Sequence, residues 1–285
     1  MRGVAYVGGF HDFKIQTGGF RVFPRLENRR QMRALPAETL ESGLPHIDRL
    51  LDTGVEMGTC TLVLGPSGVG KSTLAAQYLC AAAEKGIRSV AFLFDEQRAT
   101  FISRSDALGL NMSAHVKSGM VKLAKIEPGL MSPGEFSHCA RKAVEDDAVK
   151  VVLIDSLTGY LTAIPEADAA VVRLHELTSY LASCGTATFL TVAQTGMMGQ
   201  SMISPIDVSY IADTIFMLRF FEAGGQVRKA LSVVKKRTGK HETSIREIGV
   251  AKGRLFVGEP LTEFRGVLTG VPEYTGKSLK ARKSA

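Results

Sequence analysis

Apolar residues are not spread evenly along the chain. They gather in short unbroken runs at TCTLVLG (residues 59–65), SVAFLF (89–94), VKVVLIDS (149–156) and TATFLTVAQT (186–195). Near-continuous runs of this kind suit strands covered by helices on both faces of a parallel sheet. The stretches between them carry helical patterns. Leu74, Tyr78 and Leu79 lie among many alanines before a stop at Gly86, Ser132 and Pro133 open a helix over residues 132–147, and residues 166–183 form another. Beyond residue 195 the style changes. Segments near 210–221, 229–237, 245–250 and 254–257 are short and divided by Gly224-Gly225, Gly239 and Gly253, which predicts antiparallel strands that extend the sheet. The fold class that follows is α/β, with a mostly parallel sheet, helices on both faces and an antiparallel C-terminal extension.

The first 26 residues fit nothing in this plan but resemble the far end of the chain. A gapless shift of 235 positions sets Arg2 on Arg237, Gly18 on Gly253, Val22 on Val257 and Leu26 on Leu261, with apolar pairs Phe13/Ile248, Ile15/Val250 and Phe20/Leu255. Residues 1–26 are therefore expected to be the closing hairpin of an upstream copy of the same domain, the alternative being an unrelated β-rich arm. The remaining divisions are a basic linker (27–37), the main domain (38–262) and a basic C-terminal tail (263–285).

Composition changes the picture in one respect. The 285 residues are 45% hydrophobic and 22% charged, as expected of a globular chain, with a net charge of +7. Residues 21–33 and 274–285 each contribute +4, leaving the rest of the chain at −1. A groove that tracks nucleic-acid phosphates needs cations on the folded body, so the distribution argues against a nucleic-acid partner. No run reaches the ~18 apolar residues of a membrane span, and the N-terminus lacks a secretory signal; a cytoplasmic address is expected. Cys60, Cys80, Cys139 and Cys184 are scattered without metal-site spacing and read as small buried hydrophobes.

The chemistry lies at the ends of the apolar runs. Gly65-Pro66-Ser67-Gly68-Val69-Gly70-Lys71-Ser72 is G-x-x-x-x-G-K-[ST] between a strand and a helix, and Thr73 continues into that helix. Glycines at three positions let successive N–H groups turn inward toward a polyphosphate, and the following helix adds its positive N-terminal end. Lys71 supplies a mobile cation for the outer phosphates of ATP, and the Ser72 hydroxyl a ligand for Mg2+. Asp155, after four apolar residues, fits the carboxylate that holds the metal's water shell. Asp95 and Glu96 end the second run. Glu96 is the preferred general base for an attacking water, Asp95 the better candidate to cap the next helix. Gln194 ends the fourth run, either as a γ-phosphate sensor or as an ordinary polar strand end.

These features, with SGLPHIDRLLDTGVEMGTCTLVLGPSGVGKST, AFLFDEQR, VVLIDSLTGYL, IADTIFMLRF and VVKKRTGKHETSIREI, make residues 38–261 resemble the RecA-superfamily ATPases, and within them the KaiC-type ATPases related to the cyanobacterial circadian clock protein. The resemblance implies a RecA-like P-loop NTPase core and a catalytic acid pair at Asp95 and Glu96. It also implies that Lys235 and Arg237 enter the nucleotide site of an adjacent subunit in a ring, usually a hexamer. A cation arriving in trans neutralises charge that develops on the γ-phosphate. The stretch that matches the clock proteins' Ser/Thr autophosphorylation pair offers Ser209 followed by Tyr210, so a two-site cycle is not expected; Ser209 alone is left as an acceptor for an autokinase activity, the simpler alternative being a buried or turn serine. The function expected is a regulatory or signalling ATPase with a regulatory partner at the C-terminal tail. The alternatives are a RecA-like DNA-repair ATPase and an ATP-gated scaffold with little catalysis.

Overall fold

The computed structural model describes residues 8–27, 38–127, 129–162, 167–194, 208–251, 253–269 and 271–276. In chain order the elements are the hairpin β1 (Asp12–Gln16) and β2 (Gly19–Phe23), then β3 (Thr39–Leu40), α1 (Pro45–Leu50), β4 (Val55–Glu56) and β5 (Cys60–Gly65). There follow α2 (Lys71–Glu84), β6 (Ser89–Leu93), α3 (Arg98–Ala107), α4 (Met112–Lys117), β7 (Val121–Lys125), α5 (Pro133–Glu145), β8 (Val151–Asp155), α6 (Leu157–Thr162), α7 (Ala167–Ser183) and β9 (Ala187–Ala193). The C-terminal part contributes β10 (Thr214–Ala223), β11 (Gln226–Lys236), β12 (Arg246–Ala251), β13 (Arg254–Pro260), β14 (Phe264–Arg265) and β15 (Glu273–Tyr274).

Nine strands form one sheet in the order β13-β12-β11-β10-β5-β9-β8-β6-β7. From β10 to β7 every pairing is parallel, and from β10 to β13 every pairing is antiparallel. The architecture is the mixed α/β, mostly parallel sheet of a RecA-like P-loop fold, and the antiparallel extension continues from its β10 edge.

The apolar runs are unbroken because each strand feeds two cores at once. Successive side chains of a strand point to opposite faces. Val151 and Leu153 of β8 pack with Val63, Phe189 and the helices α2 and α3, whereas Val152 and Ile154 pack with Leu62, Leu190 and the helices α5 and α7. On the first face the Tyr78 ring lies 4.8 Å from that of Phe189, and on the second Phe136 meets Phe92 edge-on at 5.0 Å. Helix α5 starts where the sequence predicts: the Ser132 hydroxyl accepts a hydrogen bond from the Glu135 N–H at 3.2 Å and Pro133 occupies the first turn.

One segment carries more structure than the sequence reading assigns. Of the stretch assigned to a C-terminal tail, residues 263–276 fold back: β14 pairs with β15, and Val267 is fully buried against Phe221 and Ala230. Residues 277–285 lie outside the described residues, as do 1–7 of the N-terminal segment and 28–37 of the linker. Cys60 and Cys80 are buried as expected, but Cys139 and Cys184 are only half-buried.

Hairpin β1–β2 docks on α5 and α7 through polar contacts. Asp12 accepts from the Gly134 N–H at 2.6 Å and faces Arg173 at 3.5 Å, Arg25 pairs with Glu176, and Lys14 lies 3.4 Å from Glu135. Its pairing repeats that of the closing hairpin. The pairs Phe13↔Val22, Lys14↔Arg21, Ile15↔Phe20 and Gln16↔Gly19, displaced by the same 235 positions, become Ile248↔Val257, Gly249↔Phe256, Val250↔Leu255 and Ala251↔Arg254, all present between β12 and β13. Burial differs between the two. Phe13, Ile15, Phe20 and Val22 are exposed, whereas Ile248, Leu255 and Val257 are inside the core. Among the described residues no helix is long and apolar enough to cross a membrane.

Candidate functional site

Parallel strands all present their C-terminal ends at one edge of the sheet, and in open α/β sheets that edge is where ligands sit. Here β5 delivers Gly65 and the glycine-rich loop, β6 delivers Asp95 and Glu96, and β8 delivers Asp155. Together with the start of α2 they line a cleft of about 350 Å3. Gly70 caps α2 with φ of 118°, a left-handed conformation costly for any residue with a Cβ, so the loop can enter the helix only with glycine at this position. A larger cavity, about 610 Å3, lies between the β10–β11 turn and β14–β15. Among the described residues lining it Arg228 is the one cation, and it faces Glu247 at 3.4 Å, so that cavity does not offer converging phosphate donors.

Lys71 is only 9% exposed, and its ammonium donates to the Pro66 carbonyl at 2.8 Å. Burial pushes its pKa below the ordinary lysine value, and the Asp155 carboxylate opposes that shift. Asp155 is buried in turn. Loss of water raises its pKa above the usual carboxylate range, hydroxyl donors Thr191 and Ser72 pull it back, the nearby Glu96 charge adds to the rise and Arg104 opposes it. Ser72 and Asp155 line the same cleft and offer a hydroxyl and a carboxylate, an oxygen-only donor pair that suits a hard divalent cation which also takes ligands from water and phosphate. Among the described residues no group of three or more His, Cys, Asp or Glu side chains could hold a metal alone. The pair therefore fits Mg2+ arriving with a polyphosphate.

The acid pair divides differently from expectation. The residue preceding α3 is Gln97, whose side chain makes no cap, and Asp95 does not cap the helix either; it accepts a hydrogen bond from the Ser156 hydroxyl at 2.5 Å. Ser156 also accepts from the Gly159 N–H at 3.1 Å, tying the start of α6 to the end of β6. That approach is close: a Cβ on Gly159 would lie 2.6 Å from the Phe94 Cβ. Glu96 is held by an arginine that sequence reasoning did not single out. Arg104 of α3 donates through Nε and Nη2 to the two Glu96 oxygens at 3.2 and 2.9 Å, and through Nη1 to the Thr73 hydroxyl at 3.0 Å. Its only sequence signal is helical spacing three residues after the buried Phe101, over whose ring the guanidinium sits at 5.1 Å. Lys229, also missed, reaches the Gly68 carbonyl at 3.0 Å.

Gln194 lies beside the loop: its N–H donates to the Gly65 carbonyl at 3.1 Å, and its Oε1 is buried without a hydrogen-bond partner. Lys235 and Arg237 are elsewhere. Lys235 Nζ donates to the Ser209 carbonyl at 2.9 Å, and Arg237 pairs with Asp213 at 2.9 Å. Asp213 in turn accepts from the Cys60 N–H, at the start of β5. The start and end of that strand are roughly 17 Å apart at ~3.3 Å per residue. These two cations therefore do not join the phosphate cleft of their own chain.

A sequence model of the ATPase family described as KaiC matches residues 40–261, most of the chain. The chain belongs to the KaiC family of ATPases. Among its KaiC relatives, the circadian clock oscillator protein KaiC of Picosynechococcus sp. is 24% identical over 272 residues, covering 95% of this chain and 52% of the relative. The circadian clock protein KaiC3 of Synechocystis sp. is 25% identical over 245 residues, covering 86% and 48% respectively. KaiC of Parasynechococcus marenigrum is 24% identical and is covered to 53%. The chain thus spans about half the length of the curated relatives it matches.

The buried state of Asp155 gives a stability prediction. Its folded pKa is raised, so the folded protein gains from protonation: this contribution to stability is full below the unfolded pKa and is lost as pH rises through the folded one. Asp155→Asn, neutral at every pH, should raise the thermal midpoint of the protein at pH 7, with a gain that shrinks as pH falls through the raised folded pKa and is gone once pH reaches the ordinary carboxylate value. A midpoint difference that stayed constant with pH would show that ionisation of Asp155 costs the fold nothing.

Proposed function

We propose that this chain binds ATP with Mg2+ through Gly65–Gly70, Lys71, Ser72 and Thr73 and hydrolyses it, as a regulatory module that works in a ring. The observation that carries the reading is the convergence of a buried lysine, a buried aspartate, the Ser72 hydroxyl and Glu96 on one cleft at the strand ends. Loop N–H groups and the start of α2 take the phosphates, and Lys71 exchanges its bond to Pro66 for one to the outer phosphates. Ser72 and Asp155 hold Mg2+, directly and through its water shell, and the ion supplies charge neutralisation on the phosphate oxygens. Glu96 accepts the proton of a water whose oxygen bonds to the γ-phosphorus as the bridging oxygen leaves with ADP. Asp95 positions the β6 end through Ser156, and Gln194 turns its unpartnered oxygen toward the ordered water.

Lys235 and Arg237 complete the site from a second copy. Their place at the end of β11, on the far side of β5, supports this reading, because a cation meant for its own chain's phosphates would not sit there. A ring of such contacts, six in the form the KaiC resemblance suggests, makes turnover depend on assembly. We also assign residues 1–26 to the close of an upstream copy of the domain: the matching register and an apolar face left exposed on β1–β2 both support it. A regulatory partner at residues 277–285 and a cytoplasmic setting complete the proposal.

Glu96→Gln should not weaken nucleotide binding and should cut phosphate release about 10²–10⁴-fold, the usual contribution of a general base. Undiminished release would remove Glu96 from the mechanism. The same assay run with single-stranded DNA tests the repair reading, which requires stimulation; assembly on ATP without any phosphate release would favour the scaffold.

Mixing tests the composite site. Lys71→Ala chains lack phosphate binding and Lys235→Ala/Arg237→Ala chains lack the donated cations, so each alone should be nearly inactive, and a mixture should regain part of the turnover. No recovery on mixing, with assembly verified by size, counts against donation in trans.

The upstream copy has a direct check. DNA preceding the Met1 codon in the source genome should encode, in frame, a second glycine-rich phosphate loop; a stop codon directly upstream refutes the assignment.

A further inference from the structure

Arg104 stands between the two halves of the site. Its guanidinium carries five N–H donors in a rigid fork. Three are used: two on Glu96 and one on Thr73, the residue that follows Ser72 in α2. The fork that fits a carboxylate also fits a phosphate, since both present paired oxygens at the same spacing. The Arg104 side chain is 28% exposed and that of Glu96 23%, and both line the cleft with Lys71, so the pair is accessible to whatever enters. Both Glu96 oxygens accept from this one guanidinium, so the carboxylate is held against α3 and its acceptor positions are taken up by Arg104.

We infer that Arg104 is an exchanging cation: it clamps Glu96 until the terminal phosphate of a bound triphosphate competes for the same fork, then moves onto that phosphate and frees the carboxylate to accept a proton from water. This rests on the ATP reading above. The exchange costs little charge separation because one oxyanion replaces another, and Thr73 serves as the pivot that keeps the guanidinium at the cleft wall. A diphosphate, lacking the terminal group, leaves the clamp closed. Occupancy by the correct nucleotide and availability of the base thereby become one event, and the chain is protected from presenting an active carboxylate to a site without substrate.

The test is a double-mutant cycle read in binding, not in turnover. Affinities for Mg-AMP-PNP and Mg-ADP are measured by calorimetry for the parent chain, Glu96→Gln, Arg104→Ala and the double variant. Removing the competing carboxylate should tighten AMP-PNP binding about five-fold or more when Arg104 is present, within the usual range of coupling between sites, and should change nothing when Arg104 is absent. Arg104→Ala alone should weaken AMP-PNP binding about five-fold and spare ADP. Equal effects of Glu96→Gln with and without Arg104, or equal shifts for the two nucleotides, would make Arg104 a fixed structural clamp and overturn the inference. If Arg104→Ala loses ellipticity, Arg104→Gln, which keeps a donor for Thr73, takes its place in the cycle. Failure of the parent chain to bind AMP-PNP at all would overturn the ATP reading and this inference with it. Binding without coupling overturns the inference alone.

Discussion

A cation and an anion, Lys71 and Asp155, are both held nearly out of water at the ends of strands β5 and β8, and the rest of the site is arranged around the cost of keeping them there. Neither is spent on the other alone. Lys71 is satisfied by a carbonyl of its own loop and Asp155 by the Thr191 hydroxyl, so both charges are partnered by neutral groups of the chain itself. Burial shifts the two pKa values toward each other, the lysine downward and the aspartate upward, which is the expected response of opposite charges to lost hydration. A polyphosphate with its metal ion restores to each what burial removed.

That placement depends on the sheet. Six parallel strands covered on both faces leave the backbone polar groups of the strand ends as the one place where several chain segments meet water together. The strand interiors are committed to two cores, so the chemistry has to begin where the apolar runs stop. Gly65, Phe94 and Asp155 each mark such a stop. The antiparallel extension continues the same sheet from its β10 edge and carries Lys235 and Arg237 to the end away from the cleft. One surface of the domain therefore holds phosphate donors and a separate one holds the basic side chains Lys235 and Arg237, partnered there by the Ser209 carbonyl and by Asp213.

The parts legible in the sequence were those with a local physical signature. Gly65–Ser72 could be read because a loop that packs N–H groups around a phosphate requires glycine and lysine at fixed steps, and Asp155 because an acid closing a run of Val, Leu and Ile has few other reasons to be there. The β1–β2 hairpin could be read only through its likeness to β12–β13, and four of its five residue pairs recur there at the same displacement. Arg104 was not legible: it lies in α3, a polar helix that buries little besides Phe101 and Ser105, and its contacts with Glu96 and Thr73 join three separate elements. Strand β7 escaped for a related reason. As an edge strand it alternates Val121 and Leu123 with lysines and lacks the continuous apolar run of its neighbours. The fold-back of residues 263–276 depends on Val267 finding Phe221, more than forty residues away, and no local pattern announces it.

Glu96 and Asp95 show why adjacent carboxylates need not share a role. Side chains of consecutive residues diverge at the end of a strand, so Asp95 turns to Ser156 and the α6 turn while Glu96 turns to α3. Asp95 is thereby tied to the segment that follows Asp155, and any shift of the metal carboxylate is felt at the β6 end through a single hydroxyl. Glu96, by contrast, answers to α2 and α3 through one guanidinium. The two acids connect the phosphate cleft to opposite faces of the sheet, since Phe101 of α3 belongs to one core and Leu157 and Tyr160 of α6 to the other.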